Sequence, residues 1–187
     1  MRAPRRLATL AGIAAPASFI GGWVVGGARA RDYDPLRDAI SQLARVGAPT
    51  RPVMTAGFVG FGLLALPWAA ALSKQLQDRR LLATVTMAGL STLAVAALPL
   101  GGPAGDGAHA AAAGVGYLAM AVSPAIGARS LTGAARTASY LASVVSAASL
   151  AASLAGSYDG GFQRLGLGAV DAWFVAMAGH ALRHPDR

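Results

Sequence analysis

Six apolar segments, each long enough for a membrane-spanning helix, divide this chain of 187 residues. A helix needs about 20 mostly apolar residues to cross the hydrocarbon core of a bilayer. The six segments are residues 7–28, 52–72, 81–100, 108–128, 138–156 and 162–182. Backbone amides inside a membrane must be bonded within the protein, and a helix achieves this by itself. The sequence therefore predicts an all-α fold: a single polytopic membrane domain built as a bundle of six transmembrane helices.

The basic residues between these segments predict the orientation of the bundle. One side of a six-span topology holds Arg2, Arg5, Arg6, Lys74, Arg79, Arg80, Arg129, Arg136, Arg183 and Arg187. The other side holds fewer basic residues and mixes them with aspartates. Because short cytoplasmic loops carry an excess of Lys and Arg, we expect a multi-pass protein of the cell membrane with both termini in the cytoplasm. The basic, then apolar, start also resembles a signal peptide, so cleavage of residues 1–30 is the alternative.

Composition excludes several classes of protein. The formal net charge is +8, but the basic residues lie in short clusters between apolar segments, which argues against binding of nucleic acid. The chain has no cysteine, which excludes disulfides, thiol nucleophiles and Cys-ligated metals. We recognise no phosphate loop, serine-hydrolase elbow or zincin motif, and therefore expect no cofactor.

The long polar stretch at residues 33–49 separates the first two apolar segments. Asp34 followed by Pro35 suits the start of a helix, and Gly47 suits its end. Between these signals, apolar residues recur at helical spacing: Leu36, Ala39, Ile40 and Leu43. This pattern predicts a short extracytoplasmic amphipathic helix over residues 35–46, lying across the mouth of the bundle.

The same stretch resembles part of a known family. The residues that carry the resemblance are Tyr33, Asp34, Pro35, Leu36, Ile40, Ser41, Gln42, Leu43, Gly47, Ala48, Pro49, Met54, Gly57, Phe58, Gly161, Phe162, Gln163 and Arg164. They are similar to the signature of the bacterial and archaeal membrane family catalogued as domain of unknown function nine-nine-eight. The resemblance implies a six-helix bundle, distantly similar to the Frag1, DRAM and Sfk1 membrane proteins of eukaryotes. It implies no particular activity.

Asp171 is a carboxylate within the last apolar segment, about 13 Å from its start. A charge at that depth costs several kcal/mol unless it is paired, hydrated or neutralised, so it indicates either a functional group or a structural hydrogen bond. The fifth segment carries a stripe of serines at helical spacing, which should face the bundle interior. Its members are Ser139, Ser143, Ser146, Ser149 and Ser153. Ser146 and Ser149 lie near the depth of Asp171, which suggests the hypothesis of a hydrogen bond between Asp171 and this stripe. An ordinary stripe for helix packing, with the hydroxyls bonded to their own helix, is the favoured alternative.

Polar residues near the predicted outer surface form another group of candidates. They are Asp34, Arg37, Asp38, Asp106, His109, Tyr158, Asp159 and Arg164. The Asp106–His109 pair suits acid–base chemistry, whereas two ligands are fewer than a metal site usually has, so we expect no metal. Ordinary solvated loop charges are the alternative interpretation of this group.

These features favour three functions in turn. The first is a membrane protein that binds a lipid or an apolar small molecule within the bundle, or supports a membrane protein partner. Its binding residues would be Ser146, Ser149, Arg37, Asp38, Asp159 and Arg164. The second is a membrane-embedded cyclase, isomerase or lipid hydrolase that uses Asp171, or Asp106 with His109, as acid or base. The third is a subunit of a transporter or channel.

Overall fold

The computed structural model describes residues 3–154, 156 and 158–184, and within them it contains helices and no strand. The six α-helices are α1 (Ala3–Arg29), α2 (Arg51–Leu76), α3 (Arg79–Ala97), α4 (Asp106–Ala128), α5 (Gly133–Ala152) and α6 (Asp159–Arg183). A short 3₁₀ helix, Ile40–Ala44, lies between α1 and α2. The predicted all-α fold is confirmed, and each predicted apolar segment falls on one of the six α-helices.

Capping groups set the tight connection between α2 and α3. Gln77 ends α2 in the left-handed conformation, with φ of 52°. Asp78 then starts α3, because its Oδ1 accepts a hydrogen bond of 2.9 Å from the backbone N–H of Arg80. Capping of this kind satisfies an amide that has no partner inside the helix. The chain thus reverses within two residues, and α3 packs against α2.

The helices form a closed ring in which each packs on its neighbour in sequence, and α1 packs on α6. Glycines allow close approach at two of these contacts. A Cβ added to Gly22 of α1 would lie 3.1 Å from the Cα of Gly57 on α2. A Cβ on Gly89 of α3 would lie 2.9 Å from the carbonyl oxygen of Gly62 on α2. Small residues that let helix backbones approach are typical of helix packing in lipid.

Five helices are long and apolar enough to cross a membrane: α1, α2, α3, α4 and α6. The protein is therefore a multi-pass membrane protein. α5 falls outside this group because alanine and serine replace larger apolar residues along it. α5 begins five residues before the predicted segment 138–156, because its polar first turn carries no hydropathy signal. It ends four residues before that segment does.

The amphipathic α-helix predicted over residues 35–46 is not formed, and a turn followed by the 3₁₀ helix replaces it. The predicted capping role of Asp34 is formed in part, because its Oδ1 accepts a 2.9 Å hydrogen bond from the amide of Leu36. An α-helix would then pair the amide of Ile40 with the carbonyl of Leu36. Instead, Gln163 accepts from the Ile40 amide and Gly161 donates to the Leu36 carbonyl. Hydrogen bonds to α6 thus prevent an α-helix from forming here.

Candidate functional site

A cavity lies inside the bundle beside the 3₁₀ helix, with walls from that helix and from α1, α2, α3, α4 and α6. Its apolar lining consists of Phe19, Ile40, Phe58, Phe61, Val95, Ala112, Ala113, Gly116, Met120 and Leu167. Its polar lining consists of Ser41, Ser91, Thr92, His109, Tyr117 and Gln163. The volume open to the centre of a water molecule is about 50 Å³. One water needs about 10–15 Å³ on that measure, so the cavity holds a few waters or a slender apolar chain.

Residues 33–46, which we call the cover, close one side of the cavity through Ile40 and Ser41. The backbone of the cover bonds to α6 at Ile40 and Leu36: the Ile40 amide donates to Gln163 Oε1 at 2.7 Å, and the Gly161 amide donates to the Leu36 carbonyl at 2.8 Å. The chain following the 3₁₀ helix is held as well, because the Val46 amide donates to the carbonyl of Leu100 at 2.9 Å. The cover is thus bonded to the bundle through backbone groups at both of its ends.

Arg164 of α6 clamps the cover from the side facing α1. Its guanidinium lies 5.1 Å from the ring centre of Trp23 and 5.4 Å from that of Tyr33. Its Nη1 donates to the carbonyl oxygens of Pro35 at 2.7 Å and Asp38 at 3.3 Å, and its Nη2 donates to the Tyr33 hydroxyl. A planar guanidinium suits this combination of ring stacking and several hydrogen bonds.

Tyr33 completes the clamp as a neutral group. Burial raises the pKa of its hydroxyl above the ordinary value of 10.0, although the neighbouring Arg164 acts in the opposite direction. The protonated hydroxyl accepts from Arg164 and donates to the carbonyl of Asp38 at 3.1 Å. The Tyr33 hydroxyl therefore has both a donor and an acceptor as partners while the cover stays closed.

Gln163 links the cover to the cavity wall. Its Oε1 accepts from the Ile40 amide, and its Nε2 donates to the hydroxyl of Tyr117 on α4. Gln163 is 7 % exposed, so this amide is bonded inside the protein rather than to solvent. Neither Gln163 nor Tyr117 was among the predicted site residues. Gln163 lay within the family signature, but a lone tyrosine in an Ala-rich span gave no periodic signal.

His109 is the predicted site residue that the structure places in the cavity wall. It is 5 % exposed, and its Nδ1 lies 2.7 Å from the carbonyl oxygen of Leu98. Since a carbonyl only accepts, Nδ1 carries a proton. Asp106 is exposed and accepts a 2.6 Å hydrogen bond from the Gly101 amide. The two residues thus bond to different backbone groups and form no hydrogen-bonded pair.

Asp171 is buried at 1 % exposure, and neither of its carboxylate oxygens has a hydrogen-bond partner among the described residues. The expected bond to the serine stripe is wrong. On α6, Gly166 faces α5, since an added Cβ would lie 2.9 Å from Cγ of Leu150. At 100° per residue, Asp171 is turned about 140° from that direction. The Oγ of Ser146 is likewise buried without a partner.

The serine stripe itself faces the bundle as predicted. Ser139, Ser146 and Ser149 are buried. The hydroxyl of Ser139 donates to the carbonyl of Ala135 in its own helix at 2.8 Å and accepts from the indole N–H of Trp173 at 2.8 Å. Ser143 donates to the carbonyl of Ala121 on α4. These bonds join α5 to its two neighbours, as expected for helix packing.

The remaining predicted site residues lie away from the cavity lining. Arg37 is exposed and sits 3.7 Å from the Asp34 carboxylate. Asp38 accepts a 2.8 Å hydrogen bond from the Asp34 amide, which shapes the turn that opens the cover. Asp159 begins α6, and its Oδ1 is buried without a partner among the described residues. Within the part of the chain that is described, no three metal-ligating side chains come together.

Comparison with known proteins identifies a family. The family described as "Protein of unknown function (DUF998)" matches residues 13–180. The matched range includes the cover, every residue of the cavity lining and Arg164. No curated protein and no solved structure matches the chain.

Proposed function

The chain belongs to the family Protein of unknown function (DUF998), whose description names no activity, and we propose its function from the cavity. The protein binds an apolar small molecule, or the apolar part of a lipid, between α1, α2, α3, α4 and α6, with the cover closing over it. The observation that carries this proposal is the lining: ten of the sixteen residues around the cavity are apolar or glycine, and three of those are phenylalanines. A concave, mainly apolar site with a few placed polar groups is typical of small-molecule binding.

The proposal includes α5 as a sixth transmembrane span. α5 has 20 residues, which gives a length of about 30 Å, equal to the hydrocarbon core. It packs on both α4 and α6, each long and apolar enough to span. Two of the serines that lower its hydropathy, Ser139 and Ser143, bond to carbonyls and an indole inside the bundle, so these two do not need water.

We further propose that the cover and the cavity lie in the outer half of the bundle, at the cell membrane, with both termini in the cytoplasm. The basic residues at the opposite ends of the helices support this orientation. The cavity residues on α3 and α4 support the depth, because Val95 lies near the end of α3 and His109 near the start of α4. A ligand would therefore exchange with the outer leaflet or the outer aqueous phase.

Filling the cavity tests this proposal. Ala112 lines the cavity, whereas Ala111, the preceding residue on α4, is exposed. We expect native mass spectrometry of the wild-type protein, released from nanodiscs, to show a bound small molecule. Ala112→Phe should reduce the bound fraction about tenfold, because a phenyl ring and a ligand cannot share the space. Ala111→Phe is the matched control and should leave it unchanged. Equal occupancy in the two variants, or none in the wild type, contradicts the proposal.

A further inference from the structure

One backbone amide determines which groups donate and which accept in the hydrogen bonds beside the cavity. The N–H of Ile40 can only donate, so the side-chain atom of Gln163 that lies 2.7 Å from it must be the oxygen. The other end of the Gln163 amide is then an NH₂ group, which donates to the Tyr117 hydroxyl oxygen. The orientation of Gln163, which an isolated amide would leave open, is therefore fixed by the closed cover.

The hydroxyl proton of Tyr117 has no acceptor among the described residues. Its oxygen accepts from Nε2 of Gln163, while Oε1 of Gln163 accepts from the Ile40 amide and not from Tyr117. Tyr117 lies in the cavity wall, with the apolar side chains of Phe58, Phe61 and Met120 among the other lining residues. A hydroxyl donor left without an acceptor in such surroundings costs free energy, which an accepting atom on a ligand recovers.

We propose that the ligand is an apolar molecule bearing a carbonyl oxygen, and that Tyr117 donates its hydroxyl proton to that oxygen. This proposal rests on the proposed function and names the chemical class that the same cavity takes. Ammonium groups and pure hydrocarbons are disfavoured, because an ammonium offers only donors and a hydrocarbon offers no acceptor. A site with a committed donor rejects an analogue that lacks the matching acceptor more strongly than it rejects a change of shape.

His109 is another polar group that α4 contributes to the cavity wall. Its Nδ1 proton is committed to the carbonyl of Leu98, so in the neutral ring Nε2 is an acceptor. His109 and Tyr117 are eight residues apart on α4, which is about 12 Å along the helix axis. Two acceptors do not bond to each other, so a carbonyl is favoured at Tyr117 and disfavoured at His109.

A pair of matched probes tests the proposal. Methyl heptyl ketone and n-nonane have equal chain length and differ in the carbonyl. Each is equilibrated with nanodiscs that contain the protein and with empty nanodiscs, and the retained probe is measured by gas chromatography. After correction for the empty nanodiscs, we expect the wild type to retain the ketone about tenfold more strongly than the alkane, which corresponds to about 1.4 kcal/mol. Tyr117→Phe should bring the two probes to equal retention.

A second readout separates the hydrogen bond from an effect on packing. With a carbon-13-labelled carbonyl, the infrared band of the bound ketone should lie at lower wavenumber in the wild type than in Tyr117→Phe. If the wild type retains both probes equally, the carbonyl class is wrong while the apolar site stands. If neither probe is retained above empty nanodiscs, both the class and the proposed function are overturned. A ketone preference that persists in Tyr117→Phe, with no band shift, removes Tyr117 from the role.

Discussion

Gly160 is where a single methyl group should force the cover away from the bundle. It lies in the first turn of α6, and a Cβ at this position would be 2.2 Å from the carbonyl oxygen of Asp38 and 2.7 Å from that of Pro35. Both obstacles are backbone atoms of the cover, which cannot turn aside as the end of a side chain can. In the Gly160→Ala variant, the first turn of α6 can therefore keep its conformation only if the cover moves away by about 1 Å.

The size of the effect follows from the bonds that such a retreat breaks. Hydrogen bonds of 2.7 and 2.8 Å, from Ile40 to Gln163 and from Gly161 to Leu36, would lengthen beyond bonding range. The bond from Arg164 to the Pro35 carbonyl would be lost with them. Three bonds at about 1 kcal/mol each give about 3 kcal/mol against the closed cover. The higher helix propensity of alanine cancels, because α6 stays helical whether the cover is closed or open. That is roughly a 150-fold rise in the open population.

Hydrogen–deuterium exchange of peptides from the cover measures this population directly, because exchange of a protected amide follows the fraction of open molecules. We expect the Ile40 amide to exchange about 150-fold faster in Gly160→Ala than in the wild type. Gly168→Ala is the matched control on the same helix, since an added Cβ there meets nothing within 4 Å. If Gly160→Ala exchanges within twofold of Gly168→Ala, the cover is not held against α6 as described.

Three further predictions concern the clamp and the buried carboxylate. Arg164→Lys should speed exchange of the cover about tenfold, because an ammonium cannot bond to the Pro35 carbonyl and the Tyr33 hydroxyl while stacking on two rings; unchanged exchange would contradict the clamp. Tyr33 has a raised pKa in the closed state, so its contribution to the stability of the closed cover is complete below pH 10 and is lost as pH rises through that pKa. Exchange of the cover, corrected for its intrinsic pH dependence, should rise over that range in the wild type and stay flat in Tyr33→Phe. Asp171→Leu removes a buried carboxylate without partners, which should raise the free energy of unfolding by about 1 kcal/mol and the melting temperature by about 3 °C. A lower melting temperature would reveal a partner for Asp171.

The helices were predictable because the membrane imposes them through local sequence. Apolar length alone located all six, including α5, and serine spacing identified the face of α5 that packs inward. At the cover, Asp34 and Gly47 act locally: one accepts the Leu36 amide and the other adopts φ of 87°.

The middle of the cover was not predictable, because its conformation depends on residues more than 120 positions away. Helical spacing favoured an α-helix, but Gln163 and Gly161 take the amide and the carbonyl that this helix would have paired. The cavity was hidden for the same reason, since it arises where side chains from five helices leave space. His109 was identified by its chemistry, whereas Tyr117 becomes a candidate only once Gln163 is seen to orient it.

Photo-crosslinking through the protein's own methionines tests the central claim most directly. Met120 lies in the cavity wall, whereas Met87 is 49 % exposed on α3 and faces the surroundings of the bundle. With photo-methionine incorporated in cells, we predict a discrete small-molecule adduct on the Met120 peptide and a mixture of bulk lipids on the Met87 peptide. Ala112→Phe should abolish the first and leave the second unchanged. The same lipid mixture at both methionines, or an adduct at Met120 that survives Ala112→Phe, would contradict a ligand bound in the cavity.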